Sequence, residues 1–199
     1  MFTIDGHLDL ATNAIFLNRD LTKSVSEIRT KEKELGWTDT QDRGNGTVAF
    51  PEMRKGNVGL AIVTIISRYS EFGNPLSTLG LPGWHSQEQA YAYGQAQLSW
   101  YQLMEEKGEL LQIKNAKQLE NHLKVWTSDI DTHKIKPIGF ILSLEGADSI
   151  ISKKYLEKYY QSGLRAIGPA HFGNGLYAAG THSDGSGLTS IGKELLKDM

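Results

Sequence analysis

Two apolar runs limit what this chain can fold into more than any other feature: Val58 to Ile66 (VGLAIVTII) and Pro137 to Leu144 (PIGFILSL). A strand with one wet face alternates polar and apolar residues. Neither run alternates, and the first is rich in β-branched residues, so both read as strands covered on both faces. Segments of helical period lie between and after them. Ser86 caps a long helix, with Glu88 and Gln89 near its third position, that runs to about Lys107 and stops at Gly108. Ala116 to Trp126 puts Leu119, Leu123 and Trp126 on one side, and Lys153 to Gln161 is a helix closed by Gly163. Strand and helix in alternation indicate α/β architecture with parallel strands.

The rest of the chain fits that scheme. Thr3 to Leu10 reads as a strand, and Ser24 to Glu34 as a charged helix with Ser24 as its N-cap. Residues 36–46 form a loop. Phe50 to Gly56 is a short helix with Pro51 in its first turn. Residues 70–85 are rich in Gly and Pro signals. Leu110 to Ile113 and Leu164 to Gly168 are further strands, residues 172–187 a Gly-rich loop, and Thr189 to Met199 a helix. This gives four or five strands and no internal repeat. Residues 1–199 are expected to form one domain that stops within its last helix, a chain either cut short or completed by a partner, since open sheet edges are poorly tolerated.

Bulk properties exclude several classes. With 199 residues, 39% hydrophobic and 22% charged, the chain can build a real core. A net charge of −2 gives no electrostatic case for nucleic acid or an anionic membrane. Cysteine is absent, which removes disulfides and thiolate metal sites. No run reaches the ~18 apolar residues of a membrane span. Met1 leads straight into the first strand without the basic and apolar regions of a signal peptide. The cytoplasm is favoured over the periplasm on that ground, and localisation stays open.

Polar residues gather where strands end. His7 and Asp9, Glu145, and His171 all lie at or just past the carboxyl end of an expected strand, the edge at which parallel α/β folds bind ligands. In a strand, residues i and i+2 share a face, so His7 and Asp9 can converge on one divalent ion; Asp5 alternates onto the same face. An H-x-D of purely structural meaning is the other reading. Glu145 follows a buried strand directly, and its two oxygens suit a bridge between two ions. It equally suits a carboxylate favoured by a helix dipole. His171 alone reads as a loop histidine, and His182 as a loop or ligand-facing residue. His85, His122 and His133 read as surface residues. Arg19 and Asp20 can pair with each other or with a substrate.

Taken in order, Asp5-Gly-His-x-Asp-Leu10, Leu144-Glu-Gly146, Gly163-Leu-Arg followed by His171, and Gly187-Leu-Thr-x-x-Gly-Lys-Glu-Leu195 resemble the membrane (renal) dipeptidase family, zinc dipeptidases of the amidohydrolase-like barrels. Asn18-Arg-Asp-Leu21 looks like the stretch found in bacterial members. The resemblance implies a (β/α)₈ TIM barrel, with only the first four or five βα units in this chain, and two Zn²⁺ per complete site. It implies His7 and Asp9 as ligands of one zinc and Glu145 as the bridge to the second. It implies that His171 binds substrate and steadies the tetrahedral intermediate. The substrate it implies is a dipeptide, in some members with a D-residue at the C-terminal position, or a β-lactam; relatives often form homodimers. The family's two further zinc histidines, an arginine and an aspartate come after the helix in which this chain stops, so no residue here takes those roles. Neither His182 nor His133 matches the pattern. These 199 residues alone are therefore expected to be inactive. The alternatives are a non-catalytic half-barrel that binds metal or serves in assembly, and a related metal-dependent amidase acting on another small amide.

Overall fold

The computed structural model describes residues 1–72, 83–128, 135–183 and 185–199. His133 and most of the Gly/Pro-rich stretch 70–85 lie outside the described residues. The strands are β1 (Thr3–Leu8), β2 (Val58–Ile66), β3 (Arg68–Tyr69), β4 (Gly83–Trp84), β5 (Leu110–Gln112), β6 (Ile138–Glu145) and β7 (Leu164–Gly168). The helices are α1 (Val25–Glu34), α2 (Phe50–Lys55), α3 (Gln87–Glu106), α4 (Ala116–Thr127), α5 (Lys153–Gln161) and α6 (Ser190–Asp198). The fold is mixed α/β. Strands β1, β2, β6 and β5 lie in that order in one sheet, with β7 also paired to β6. The chain divides into two compact units, residues 1–63 with 99–141, and residues 64–98 with 142–199.

In the first unit β1 pairs in parallel with β2, from Thr3 opposite Val58 to Leu8 opposite Val63. The three residues of β5 pair in parallel with the start of β6, Leu110 opposite Ile138. The apolar runs are buried as their lack of alternation requires: Leu60, Ala61, Val63, Ile138 and Phe140 are all shielded from solvent. Tyr101 stacks on Phe140 at 5.3 Å between ring centroids. Helix α1 begins with a reciprocal cap, the Ser24 hydroxyl accepting from the Glu27 backbone N–H and the Glu27 carboxylate accepting from the Ser24 N–H. Asn115 caps α4 by accepting from Gln118 N–H at 3.0 Å.

One surface expectation is corrected here. His122 is only 2% exposed. Its place on α4, three residues after Leu119 and four before Trp126, puts it on the inner face of that helix. Its Nε2 lies 2.6 Å from the Gly59 carbonyl oxygen. Gly139 makes room for the ring: a Cβ there would come within 2.5 Å of Nε2.

In the second unit the end of β6 pairs in parallel with β7, Leu144 opposite Ile167 and Glu145 opposite Gly168. The end of β2 is satisfied by a side chain rather than a strand: Gln97 accepts from Ile66 N–H at 3.0 Å and donates to its carbonyl at 2.7 Å. Tyr159 is buried, donates to Ser149 Oγ at 3.1 Å and meets the ring of Tyr91 edge-on at 5.6 Å. Thr189 caps α6, accepting from Gly192 N–H at 3.1 Å. Among the described residues, no helix is long and apolar enough to cross a membrane.

Candidate metal centre

Strand β1 ends at Leu8, so His7 is on the strand and Asp9 just past it. Their side chains turn to each other, with His7 Nε2 3.3 Å from Asp9 Oδ1, and both are partly open to solvent. Asp5 serves the backbone: its Oδ1 accepts from the His7 N–H at 2.9 Å. Past Asp9 the chain makes a single π-helical turn, Thr12–Phe16, which nothing in the residue pattern announces.

Glu145 is the last residue of β6, and His171 follows β7 by a short turn. His171 Nε2 lies 3.1 Å from Glu145 Oε1, and both side chains are largely buried. The His171 ring meets Phe172 edge-on at 4.5 Å, and Phe172 in turn stacks on His182 at 5.9 Å. The Gly-rich segment is folded back on this point: the His171 carbonyl accepts from Thr181 N–H at 3.1 Å, and the Gly173 carbonyl from Gly180 N–H at 2.8 Å.

Asp148 is a residue whose role the sequence reading missed. It is 4% exposed, and its carboxylate accepts from the backbone N–H groups of Tyr69 at 3.1 Å and Leu176 at 3.0 Å. Burial pushes its pKa above the usual carboxylate range, against the pull of those two N–H groups and the Arg68 charge. Its position in Glu145-Gly-Ala-Asp148 was the available signal. Arg19 and Asp20 do not pair with each other: Arg19 Nε donates to Glu32 at 2.8 Å, and Asp20 accepts from the Thr22 hydroxyl at 2.7 Å.

The donor chemistry fits a divalent cation. His7 and Asp9 in the first unit, and Glu145 in the second, each offer one potential metal-ligand atom. One imidazole nitrogen and two carboxylates are the donor types that suit Zn²⁺ and its neighbours. Two ligands at ordinary Zn–N and Zn–O lengths on a tetrahedral ion stand about 3.3–3.4 Å apart. The 3.3 Å between His7 Nε2 and Asp9 Oδ1 matches that edge.

A parallel α/β sheet carrying polar donors at the carboxyl ends of its strands has them at the edge where barrel folds place their functional residues. The chain belongs to the membrane dipeptidase family, peptidase family M19, whose model matches residues 1–199. Its fold is similar to that of dipeptidase AC, a metallopeptidase of family M19, with a TM-score of 0.60 and 21% identity, covering 100% of this chain and 53% of that one. A metallopeptidase from Rhodobacter sphaeroides, solved with a phosphinate mimic of the dipeptide L-Ala-D-Ala, gives a TM-score of 0.60 at 21% identity, over 100% of this chain and 55% of that one. The probable dipeptidase PvdM from Pseudomonas aeruginosa gives 0.66 at 13% identity, over 99% and 44%. The chain thus spans about half the length of these solved structures. No curated protein matches it.

Proposed function

We propose that this protein is a zinc-dependent dipeptidase in which His7 and Asp9 would hold one zinc, Glu145 would bridge to a second, and His171 would contact the substrate. The observation that carries this reading is the 3.3 Å approach of the His7 and Asp9 donor atoms, in a chain of a metallopeptidase family. The chemistry a divalent cation supplies at such a site is polarisation of a carbonyl and acidification of water. The side chains supply the rest. Asp9 and Glu145 bring negative charge to offset the cation. Glu145 Oε1, 3.1 Å from His171 Nε2, orients the ring. An imidazole N–H turned to the substrate is the kind of donor that stabilises negative charge growing on the oxygen of an attacked peptide carbonyl. Phe172 and the backbone bonds from the Gly-rich segment fix the ring's position.

The test is a panel of dipeptides with L- and D-residues at the C-terminal position, assayed after chelation and after zinc is restored. A D-residue belongs in the panel because the Rhodobacter sphaeroides protein was solved with an L-Ala-D-Ala mimic. Zinc-restored hydrolysis of one or more dipeptides supports the reading. Hydrolysis of other small amides alone assigns the site to an amidase, and metal binding with no hydrolysis of either assigns it to a non-catalytic module.

A further inference from the structure

A partly buried polar relay begins at the carbonyl of Asp9, and the proposed mechanism makes no use of it. Asn13 Nδ2 donates to the Asp9 carbonyl oxygen at 3.0 Å, and the Asn13 backbone N–H donates to the same oxygen at 3.0 Å. Asn13 Oδ1 accepts from Arg19 Nη1 at 2.8 Å. Arg19 is itself clamped, Nε by Glu32 at 2.8 Å and Nη2 by the Asp42 carbonyl at 2.7 Å. Glu32 also accepts from Arg43 Nη1 at 2.9 Å and from the Gly44 N–H at 2.7 Å. Arg19 is 6% exposed and Glu32 4%.

Stability alone explains such a network poorly. Taking paired charges out of water is costly, and well-packed apolar groups of similar volume often do as well or better. An apolar cluster could not do one thing this network does, which is to aim a fixed amide at one carbonyl. That carbonyl needs holding, because Asp9 lies beyond the end of β1 and leads into an isolated π-helical turn.

We propose that Asn13 and Arg19 are positioning residues for Asp9: the chain Glu32–Arg19–Asn13 fixes the Asp9 backbone and so sets where its carboxylate stands beside His7. The inference rests on reading Asp9 as a metal ligand. Metal-ligand partners of this kind change affinity by about 10–100-fold when removed.

The experiment uses metal-free full-length protein. Zn²⁺ affinity is read by competition with a chromophoric chelator, the ligand field by the visible spectrum of the Co²⁺ form, and folding by the apo-protein Tm. The variants are Asn13→Ala, Asn13→Asp and Asp9→Ala. Asn13→Asp keeps an acceptor for Arg19 but loses the donor to the Asp9 carbonyl, so it separates positioning from stability. The expected result is that Asp9→Ala abolishes tight binding. Both Asn13 variants are expected to weaken Zn²⁺ by about tenfold or more and alter the Co²⁺ spectrum, while Asn13→Asp retains the wild-type Tm. If Asp9→Ala abolishes binding but Asn13→Asp binds within twofold of wild type with an unchanged Co²⁺ spectrum, the positioning role is overturned. If Asp9→Ala itself binds like wild type, the metal-site reading fails and this inference falls with it.

Discussion

Glu145 closes strand β6, and its Oε1 lies 3.1 Å from Nε2 of His171, which follows the end of β7. The pairing depends on register. Glu145 stands opposite Gly168 in the parallel ladder, and a slip by one residue would turn the carboxylate to the other face of the sheet. A contact between side chains far apart in sequence is therefore set by the way two apolar strands align.

If His171 serves as a donor to the developing oxyanion, removing it should slow the chemical step and leave the metal in place. His171→Ala should lower kcat for the best dipeptide by about 10²–10³-fold, the usual cost of one such donor. Zinc content, measured by mass spectrometry of the dialysed protein, should stay at the wild-type level. A matching loss of zinc would make His171 a ligand instead.

The backbone that carries His171 leaves no room at Gly180. A Cβ there would lie 1.8 Å from the His171 carbonyl oxygen and 2.7 Å from its carbon. Gly180→Ala must therefore push the two segments apart. It should cost about 1–3 kcal/mol, the range for forced overpacking, read as a lower urea midpoint. The same displacement should lower kcat through His171.

The strand–helix layout was legible because its signals are local. The unbroken apolar run marks Val58–Ile66 to the residue, and Ser24, Ser86 and Gly163 mark helix ends through caps that reach only a few positions. Contacts between distant positions left no such trace. Arg19 meets Glu32 across 13 positions, and Asp148 meets Tyr69 across 79, so neither pairing can be read from neighbouring residues. His122 looked like a surface residue because imidazole is polar. What buries it is the space left by Gly139 and the nearby carbonyl of Gly59, and both belong to strands remote from α4. The site lies between these cases: residue type and strand-end position made His7, Asp9, Glu145 and His171 candidates, while the pairing of His171 with Glu145 depends on the ladder register.

His122 also gives the fold a dependence on pH. Burial lowers the pKa of its imidazole below the ordinary 6.5, outweighing the hydrogen bond to Gly59, which acts the other way. The unfolded chain then takes up a proton more readily than the folded one. The contribution to stability is complete above the unfolded pKa and is lost as pH falls through the lower folded value. Urea unfolding between pH 7 and 5 should show stability declining, and His122→Gln should make that decline shallower. Equal slopes for the two proteins would mean that His122 remains as easily protonated in the fold as outside it.

The most direct test of the account is the Zn²⁺ affinity of the full-length protein, measured by chelator competition for wild type, His7→Ala and Glu145→Gln, with apo-protein Tm as the control for folding. If His7 and Glu145 are both metal ligands, each substitution alone should cost at least about tenfold in affinity, as loss of a ligand should exceed the loss of its supporting partner. Wild-type affinity in either folded variant would contradict the account.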